Sequence, residues 1–277
     1  MRTRAELREA LASARRPVGL VPTMGWLHDG HRALMRRARS ENGTTVATIF
    51  VNPRQFNLAT DFTRYPRNEA RDVAVCEAEG IDLVWAPPVE EVYPPGFDTT
   101  VSVGAIARPL EGAARPGHFD GVATVVSILF SLVGADRAYF GQKDAQQAIV
   151  IEKMARDLDL PVEVVTCPTV READGLAMSS RNAYLSAEER SRAPALNRAL
   201  EAADSTVARG ERSASAVLGA ARRELHAAGI EPEYLELRSA SDLQPVEHVN
   251  GSTLLAVAAQ VGRARLIDNK VLGGTHR

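Results

Sequence analysis

Short apolar runs alternate with amphipathic stretches through the first two thirds of the chain, and this alternation predicts a β/α order. Thr3-Arg4-Ala5-Glu6 has the form of a capping box and starts a helix running to about Ala14. Apolar and β-branched runs at 18–21, 45–51, 82–85, 137–140 and 162–167 read as buried strands. Helical periodicity at 32–41, 67–79, 122–133 and 145–158 fills the intervals. Strands alternating with helices predict a parallel sheet covered on both faces, a Rossmann-like doubly wound α/β arrangement. Pro- and Gly-rich stretches at 87–96 and 109–117 read as long loops, which in compact domains are usually functional or mobile.

After Thr169 the pattern changes. Residues 171–181 are polar and contain a glycine, and two Ala/Arg/Glu-rich helices follow at 187–209 and 213–228. Residues 234–238, 253–261 and 264–267 read as short antiparallel strands. The expected organisation is a domain over 1–170 and a smaller C-terminal α+β domain over 171–277, with the boundary near 170–185.

Composition narrows the function classes. A chain of 277 residues with 45% hydrophobic and 25% charged content has room for one large or two medium domains. A net charge of −2 gives no reason to expect nucleic acid or an acidic membrane as partner. Arg32, Arg36, Arg37 and Arg39 cluster on one helix, where the simplest reading is a solvated face. The N-terminus lacks the apolar run of a signal peptide and no stretch reaches membrane-spanning length, so the cytoplasm is the expected location. Cys76 and Cys167 have no metal-like spacing and read as core and strand-end residues without a nucleophilic role. The chain carries 30 Arg but only 3 Lys, which draws attention to each Lys. Lys153 and Lys270 have no motif around them, whereas Lys143 follows a predicted strand.

The densest chemistry lies in Val18-Gly19-Leu20-Val21-Pro22-Thr23-Met24-Gly25-Trp26-Leu27-His28-Asp29-Gly30-His31. It reads as the C-terminal end of a strand feeding a helix, where open α/β sheets place their ligands. Free N–H groups at that helix start favour an anion such as phosphate, and the two histidines add proton donors for a displaced pyrophosphate. The alternative is a pair of surface histidines in a turn. Met178-Ser179-Ser180-Arg181 offers hydroxyls and a guanidinium to phosphate oxygens, or is an ordinary loop.

Three further segments sit where strands end or helices begin. In Gly141-Gln142-Lys143-Asp144, Gly141 permits close approach to a nucleotide and Lys143 neutralises phosphate charge, while Asp144 accepts from ribose hydroxyls or caps the next helix. Gln147, one turn on, faces a polar substrate or is a plain helix residue. Asn52-Pro53-Arg54-Gln55-Phe56 offers the Gln55 amide to a hydroxy acid, or is a polar loop. Arg115 and His118 reach a carboxylate or phosphate, or decorate the rim. His226, His248 and His276 read as surface residues. There is no Gly-x-x-x-x-Gly-Lys, Gly-x-Gly-x-x-Gly, Gly-x-Ser-x-Gly or His-Glu-x-x-His motif.

Taken together, these segments and their order resemble a known family. Pro22-Thr23-Met24-Gly25-x-Leu27-His28-x-Gly30-His31, Asn52-Pro53-x-Gln55-Phe56, Tyr65-Pro66-Arg67 and Arg115-Pro116-Gly117-His118-Phe119-x-Gly121-Val122 cover the N-terminal half. Tyr139-Phe140-Gly141-Gln142-Lys143-Asp144-x-Gln146-Gln147 and Pro168-Thr169-Val170-Arg171-Glu172-x-Asp174-Gly175-Leu176-Ala177-Met178-Ser179-Ser180-Arg181-Asn182 follow. This set resembles the pantothenate synthetase (pantoate–β-alanine ligase) family of the His-x-Gly-His nucleotidyltransferase superfamily. The C-terminal part is carried by Tyr234-Leu235-Glu236-Leu237 and Leu266-Ile267-Asp268-Asn269.

The resemblance implies an ATP-dependent ligase that forms pantoyl adenylate from pantoate, releases pyrophosphate, and passes the acyl group to β-alanine with release of AMP. It implies ATP binding by Met24, Gly25, Trp26, Leu27, His28, Asp29, Gly30, His31, Gly141, Gln142, Lys143, Asp144, Val170, Met178, Ser179, Ser180 and Arg181. His31, His28, Lys143 and Arg181 are the implied catalytic groups, with His31 the proton donor. Gln55 and Gln147 hold pantoate, Gln55 lies near β-alanine, and Mg²⁺ rides on the phosphates with no protein ligand assigned. A homodimer is also implied. Trp26 departs from the family pattern, in which a smaller residue is common, and puts nucleotide affinity in question. A nucleotidylyltransferase that stops at an adenylated product, a tRNA-charging enzyme and a silent nucleotide-binding module are the competing readings. Gln55 and Gln147 argue against the first, the absence of a basic face and of an anticodon-binding extension against the second, and Lys143 with His31 against the third.

Overall fold

The structure, a computed structural model, describes residues 1–57 and 59–273, with the side chains of 59–61 left aside. His276 therefore lies outside the described residues. The chain divides into two compact units, one formed by 1–142 and 146–168, the other by 143–145 and 169–277.

The first unit opens with α1 (Arg4–Leu11), nucleated by the foreseen box: Thr3 Oγ1 accepts from the Glu6 N–H while the Glu6 carboxylate accepts from the Thr3 N–H. The chain continues through β1 (Val18–Thr23), α2 (Asp29–Glu41), β2 (Thr44–Ile49), α3 (Ala59–Arg64), α4 (Glu69–Ala78), β3 (Leu83–Trp85), α5 (Val89–Val92), α6 (Glu111–Ala114), α7 (His118–Val133), β4 (Arg137–Gly141), α8 (Ala145–Asp157) and β5 (Glu163–Cys167). The five strands are parallel in the order β3-β2-β1-β4-β5. The chain thus winds outward from β1 to β3 and restarts on the other side at β4. The reversal between β1 and β4 is where such sheets leave a crevice beyond their strand ends. Val21, Ala47 and Tyr139 of the strands pack with Leu34, Met35 and Ala38 of α2 and with Val75 and Cys76 of α4. The arginines of α2 are all ion-paired rather than merely solvated: Arg32 and Arg36 with Glu79, Arg37 with Glu41, Arg39 with Asp82.

The second unit packs α9 (Ala187–Arg192), α10 (Ala195–Ala208) and α11 (Ala214–Ala227) with an antiparallel sheet in the order β6-β7-β8. Its strands are β6 (Pro232–Ser239), β7 (Thr253–Val261) and β8 (Ala264–Leu272). The central strand β7 is buried at every position except Gln260, which gives this unit a core separate from that of the parallel sheet.

The departures from the expected elements have local causes. Helix α2 starts at Asp29 rather than at residue 32, because His28 serves as its N-cap. Helix α7 starts four residues early, at His118. The helix expected over 187–209 is broken before Pro194, which has no N–H to continue a ladder and begins α10 instead. The stretches read as loops hold the short helices α5 and α6.

Candidate active site

All the strands of a parallel sheet end on one edge, so the segments following β1, β2 and β4 share that edge. After β1 the chain makes a tight turn with Gly25 at φ +81° and Trp26 at φ +51°. Thr23 Oγ1 donates to the Thr48 carbonyl at 2.6 Å and accepts from the Gly25 N–H at 3.2 Å. The turn delivers His28 to the N-cap of α2. Its Nδ1 accepts from the Gly30 N–H at 3.1 Å, while His31 Nδ1 accepts from the His28 N–H at 3.2 Å. The two rings lie 4.2 Å apart at 47°. With both Nδ1 atoms accepting, the hydrogen-bond network assigns the neutral proton of each imidazole to Nε2.

This geometry corrects one expectation. The Gly30 N–H is held by the His28 ring and the His31 N–H by the His28 carbonyl at 2.8 Å. Two of the backbone donors expected free at the start of α2 are therefore already engaged. The fate of Trp26 is also settled locally: its ring is half-buried and lies beneath the Arg71 guanidinium, 5.1 Å from its centre.

Beyond β2, Asn52 is 1% exposed and organises the Gln55 segment. Its Nδ2 donates to Gln55 Oε1 and to the Gly121 carbonyl, both at 3.0 Å, and its Oδ1 accepts from the Tyr93 hydroxyl at 2.8 Å. Gln55 Nε2 donates to Met24 Sδ at 3.0 Å, which ties this segment to the β1 turn. Gly121 is required here, since a Cβ would lie 2.2 Å from the Arg54 carbonyl oxygen. Arg115 and His118 do not decorate a rim. Both bond to the Gln55 carbonyl, at 3.1 and 2.8 Å, and because Arg115 also donates to His118 Nε2, the His118 proton sits on Nδ1.

Beyond β4 the two adjacent glutamines part company. Gln146 is buried and fully used: its Oε1 accepts from the Glu111 N–H, and its Nε2 donates to the Ile106 and Pro109 carbonyls. Gln147 is half-buried and makes no side-chain hydrogen bond to the described residues. A Cβ on Gly141, at the strand end, would meet nothing within 4 Å. Gly141, Gln142 and Gln147 belong to the first unit, whereas Lys143 and Asp144 group with the second.

In the second unit Lys143 is anchored by Asn269, whose Nδ2 donates to the Lys143 carbonyl at 2.9 Å. Its Nζ lies 3.7 Å from Asp144 Oδ1, and its side chain is only 16% exposed. Lys143 shares a pocket with Ser179, Asn182, Arg265 and Asp268. Val170 and Met178 meet across a short hairpin, the Met178 N–H donating to the Val170 carbonyl at 3.0 Å. Ser179 Oγ accepts from the Arg181 N–H at 3.2 Å and starts a short turn through Tyr184. Arg171 braces the hairpin by a bidentate pair with the buried Asp268 at 2.6 and 3.0 Å. Arg190 grips it from α9, pairing with Glu172 at 2.6 Å and with Asp174. The Arg190 bond holds the Asp174 carboxyl below the usual carboxylate range. Arg181 itself makes no side-chain hydrogen bond or ion pair among the described residues.

The sequence reading missed Asn52, Asp72, Gln146 and Arg190 as supports of these segments. Burial pushes the Cys76 thiol up to about 11 and raises Cys167 as well, so neither is a thiolate near neutral pH. Chemically, the first unit carries two imidazoles protonated at Nε2, an open glycine edge and, at Gln147, an amide with no hydrogen bond to the described residues. The second unit carries Lys143 and, in Arg181, a guanidinium with no ion pair among the described residues. Each set of donors by itself suits an anionic, phosphate-bearing group.

A family model described as pantoate-beta-alanine ligase matches residues 1–271. A pantothenate synthetase of Roseiflexus sp. (strain RS-1) is 55% identical over 271 residues, 98% of each chain. The crystal structure of the pantothenate synthetase from Thermus thermophilus superposes with a TM-score of 0.93 at 49% identity, again over 98% of each chain. A Francisella tularensis pantoate-beta-alanine ligase complexed with beta-gamma ATP and beta-alanine is similar at a TM-score of 0.81 and 30% identity, over 98% of this chain and 96% of that one.

Proposed function

The chain belongs to the pantoate-beta-alanine ligase family, and we propose that it condenses pantoate with β-alanine in two steps driven by ATP. In the first, a pantoate carboxylate oxygen attacks the α-phosphorus of ATP, and the bond to pyrophosphate breaks to leave pantoyl adenylate. In the second, the β-alanine amine attacks the activated carbonyl; the C–O bond to AMP breaks and the amine loses a proton. No protein nucleophile is needed, and the two buried thiols suit that role poorly.

The observation that carries this reading is the family match over residues 1–271, and the geometry of the strand ends supports it. His31 and His28 present Nε2–H donors to phosphate oxygens and to the charge that develops on pyrophosphate, His31 being the proton donor. Residues 24–31, Gly141 and Gln142 of the first unit bind ATP, as do Lys143, Asp144, Val170 and residues 178–181 of the second. Lys143 and Arg181 neutralise phosphate charge, the Arg with a fork the ammonium lacks. Gln55 and Gln147 hold pantoate. Among the described residues there is no group of three His, Cys, Asp or Glu placed to cage a metal. Mg²⁺ would enter on the nucleotide's phosphates, where it would offset their charge. We further propose a homodimer in the cytoplasm; no helix among the described residues is long and apolar enough to cross a membrane.

The test is pantoate-dependent exchange of label between pyrophosphate and ATP, followed by pantothenate formation on adding β-alanine. Exchange that proceeds equally well without pantoate overturns the assignment.

A further inference from the structure

We propose that Asp72 is a positioning residue for adenylate formation: from α4 it sets the turn that aims His28 and His31. The proposal rests on the reading of that pair as phosphate-facing.

Asp72 is 1% exposed, and both its carboxylate oxygens are engaged by the β1 turn. Oδ2 accepts from the Trp26 N–H at 2.7 Å and Oδ1 from the Leu27 N–H at 2.8 Å. Gly25 and Trp26 are consecutive left-handed residues, and successive N–H groups in such turns converge on a concavity that favours an anion. Here the anion is a side chain 45 residues away in the chain. The fit is close, since a Cβ on Gly25 would lie 2.8 Å from Asp72 Oδ2. Trp26, an L residue at φ +51°, holds a conformation that side chains rarely adopt. The preceding residue acts on the same turn: Arg71 donates to the Leu27 carbonyl at 2.8 Å and lies over the Trp26 ring. One dipeptide of α4 thus holds the N–H of Trp26 and both backbone polar groups of Leu27. Leu27 is itself 1% exposed and directly precedes His28, the cap of α2. A displacement of the turn is passed to both imidazoles, because the His28 backbone carries its own ring and its N–H donates to His31 Nδ1.

The test is Asp72→Asn, which keeps the shape but sets an NH₂ against one of the two N–H groups. The expected result is a fall in kcat for pantoate-dependent exchange of roughly 10²-fold, the scale of a misplacement of about 1 Å, with the KM for pantoate little changed. Adding Trp26→Gly to that variant recovers kcat several-fold, since glycine takes the left-handed conformation without strain. A merely structural carboxylate predicts lowered Tm, unchanged kcat per folded enzyme and no recovery; that result overturns the proposal. Should Asp72→Asn not fold, Arg71→Met, at a half-exposed side chain, loosens the same turn and is expected to lower kcat several-fold; unchanged kcat overturns the proposal. The imidazole ¹⁵N shifts of His28 and His31 separate this proposal from the functional reading. If the wild-type protein shows no pantoate-dependent exchange, altered Nδ1 signals in the folded variant still support the positioning role and unaltered signals overturn it.

Discussion

The turn between β1 and α2 and the hairpin between β5 and α9 carry the two sets of residues assigned to the nucleotide, and the chain fixes them by different means. The first is held by the buried Asp72 carboxylate on two backbone N–H groups and by the Thr23–Thr48 bond inside the sheet. Solvent and salt have little access to such bonds. The second is braced on one side by the Arg171 pair with the buried Asp268, and on the other from α9 by Arg190, whose side chain is 30% exposed, with Glu172 equally exposed and Asp174 more so. Half-exposed ion pairs are individually weak and are screened by salt. The β1 turn is therefore built as a preformed donor array, whereas the hairpin carrying Arg181 is fastened on its α9 side by pairs that salt can loosen.

The largest expected effect comes from removing what the preformed region presents. His31→Ala should lower turnover in the exchange assay by roughly 10²-fold or more, because a donor aimed at developing phosphate charge acts in the transition state. It should also loosen His28, whose N–H then loses its acceptor. Near-normal turnover would remove His31 from the mechanism and with it the functional contrast between the two regions.

Much of this contrast lies in what a linear reading can and cannot reach. The β/α alternation and the Thr3 capping box are written in local periodicity, and both were legible. So was the common edge on which the segments after β1, β2 and β4 fall, because parallel strands put every following segment on one edge. The start of α2 was not, since an imidazole stands where Ser, Thr, Asp or Asn usually caps. Gln146 and Gln147 are indistinguishable in sequence; only the carbonyls of the 106–109 segment show which amide is spent on structure. Asp72 and Arg190 act through partners far along the chain, and no local pattern marks such contacts. His118 was noticed for its chemistry and turned out to brace the Gln55 carbonyl.

A smaller effect is expected from the hairpin. Arg190→Ala releases Glu172 and Asp174, and through Glu172 it loosens Asn182, which donates to that carboxylate at 2.8 Å. The KM for ATP should rise roughly two- to fivefold, the scale of a half-exposed ion-pair network, with kcat at saturation little altered. Raising the salt concentration should raise both KM values through screening of the phosphate contacts and narrow the ratio between them, since the wild type also loses its Arg190 pairs. Equal KM values at low salt would show that the hairpin is held by its backbone and the Arg171–Asp268 pair without help from Arg190, and the contrast with the β1 turn would collapse.

The smallest effect concerns the far end of the preformed region. Helix α4 carries Asp72 near its start, and Glu79 just beyond its end pairs with Arg32 and Arg36 of α2 at 2.6 and 2.7 Å. The bond from Arg36, with that from Arg32, holds the Glu79 carboxyl below its ordinary value. A carboxyl depressed in the folded state stabilises above its unfolded pKa of about 4.3, and that contribution is lost as pH falls through the lower folded value. Glu79→Gln should therefore cost about 1 kcal/mol or less at pH 7, seen as a small drop in Tm with turnover unchanged. The gap between wild type and variant should narrow as the pH is lowered below the ordinary carboxylate range. A gap of constant size down to pH 3, or none at pH 7, would mean that the Glu79 pairs add no charge-dependent tie, leaving α4 joined to α2 by the packing of Val75 and Cys76 and through the β1 turn.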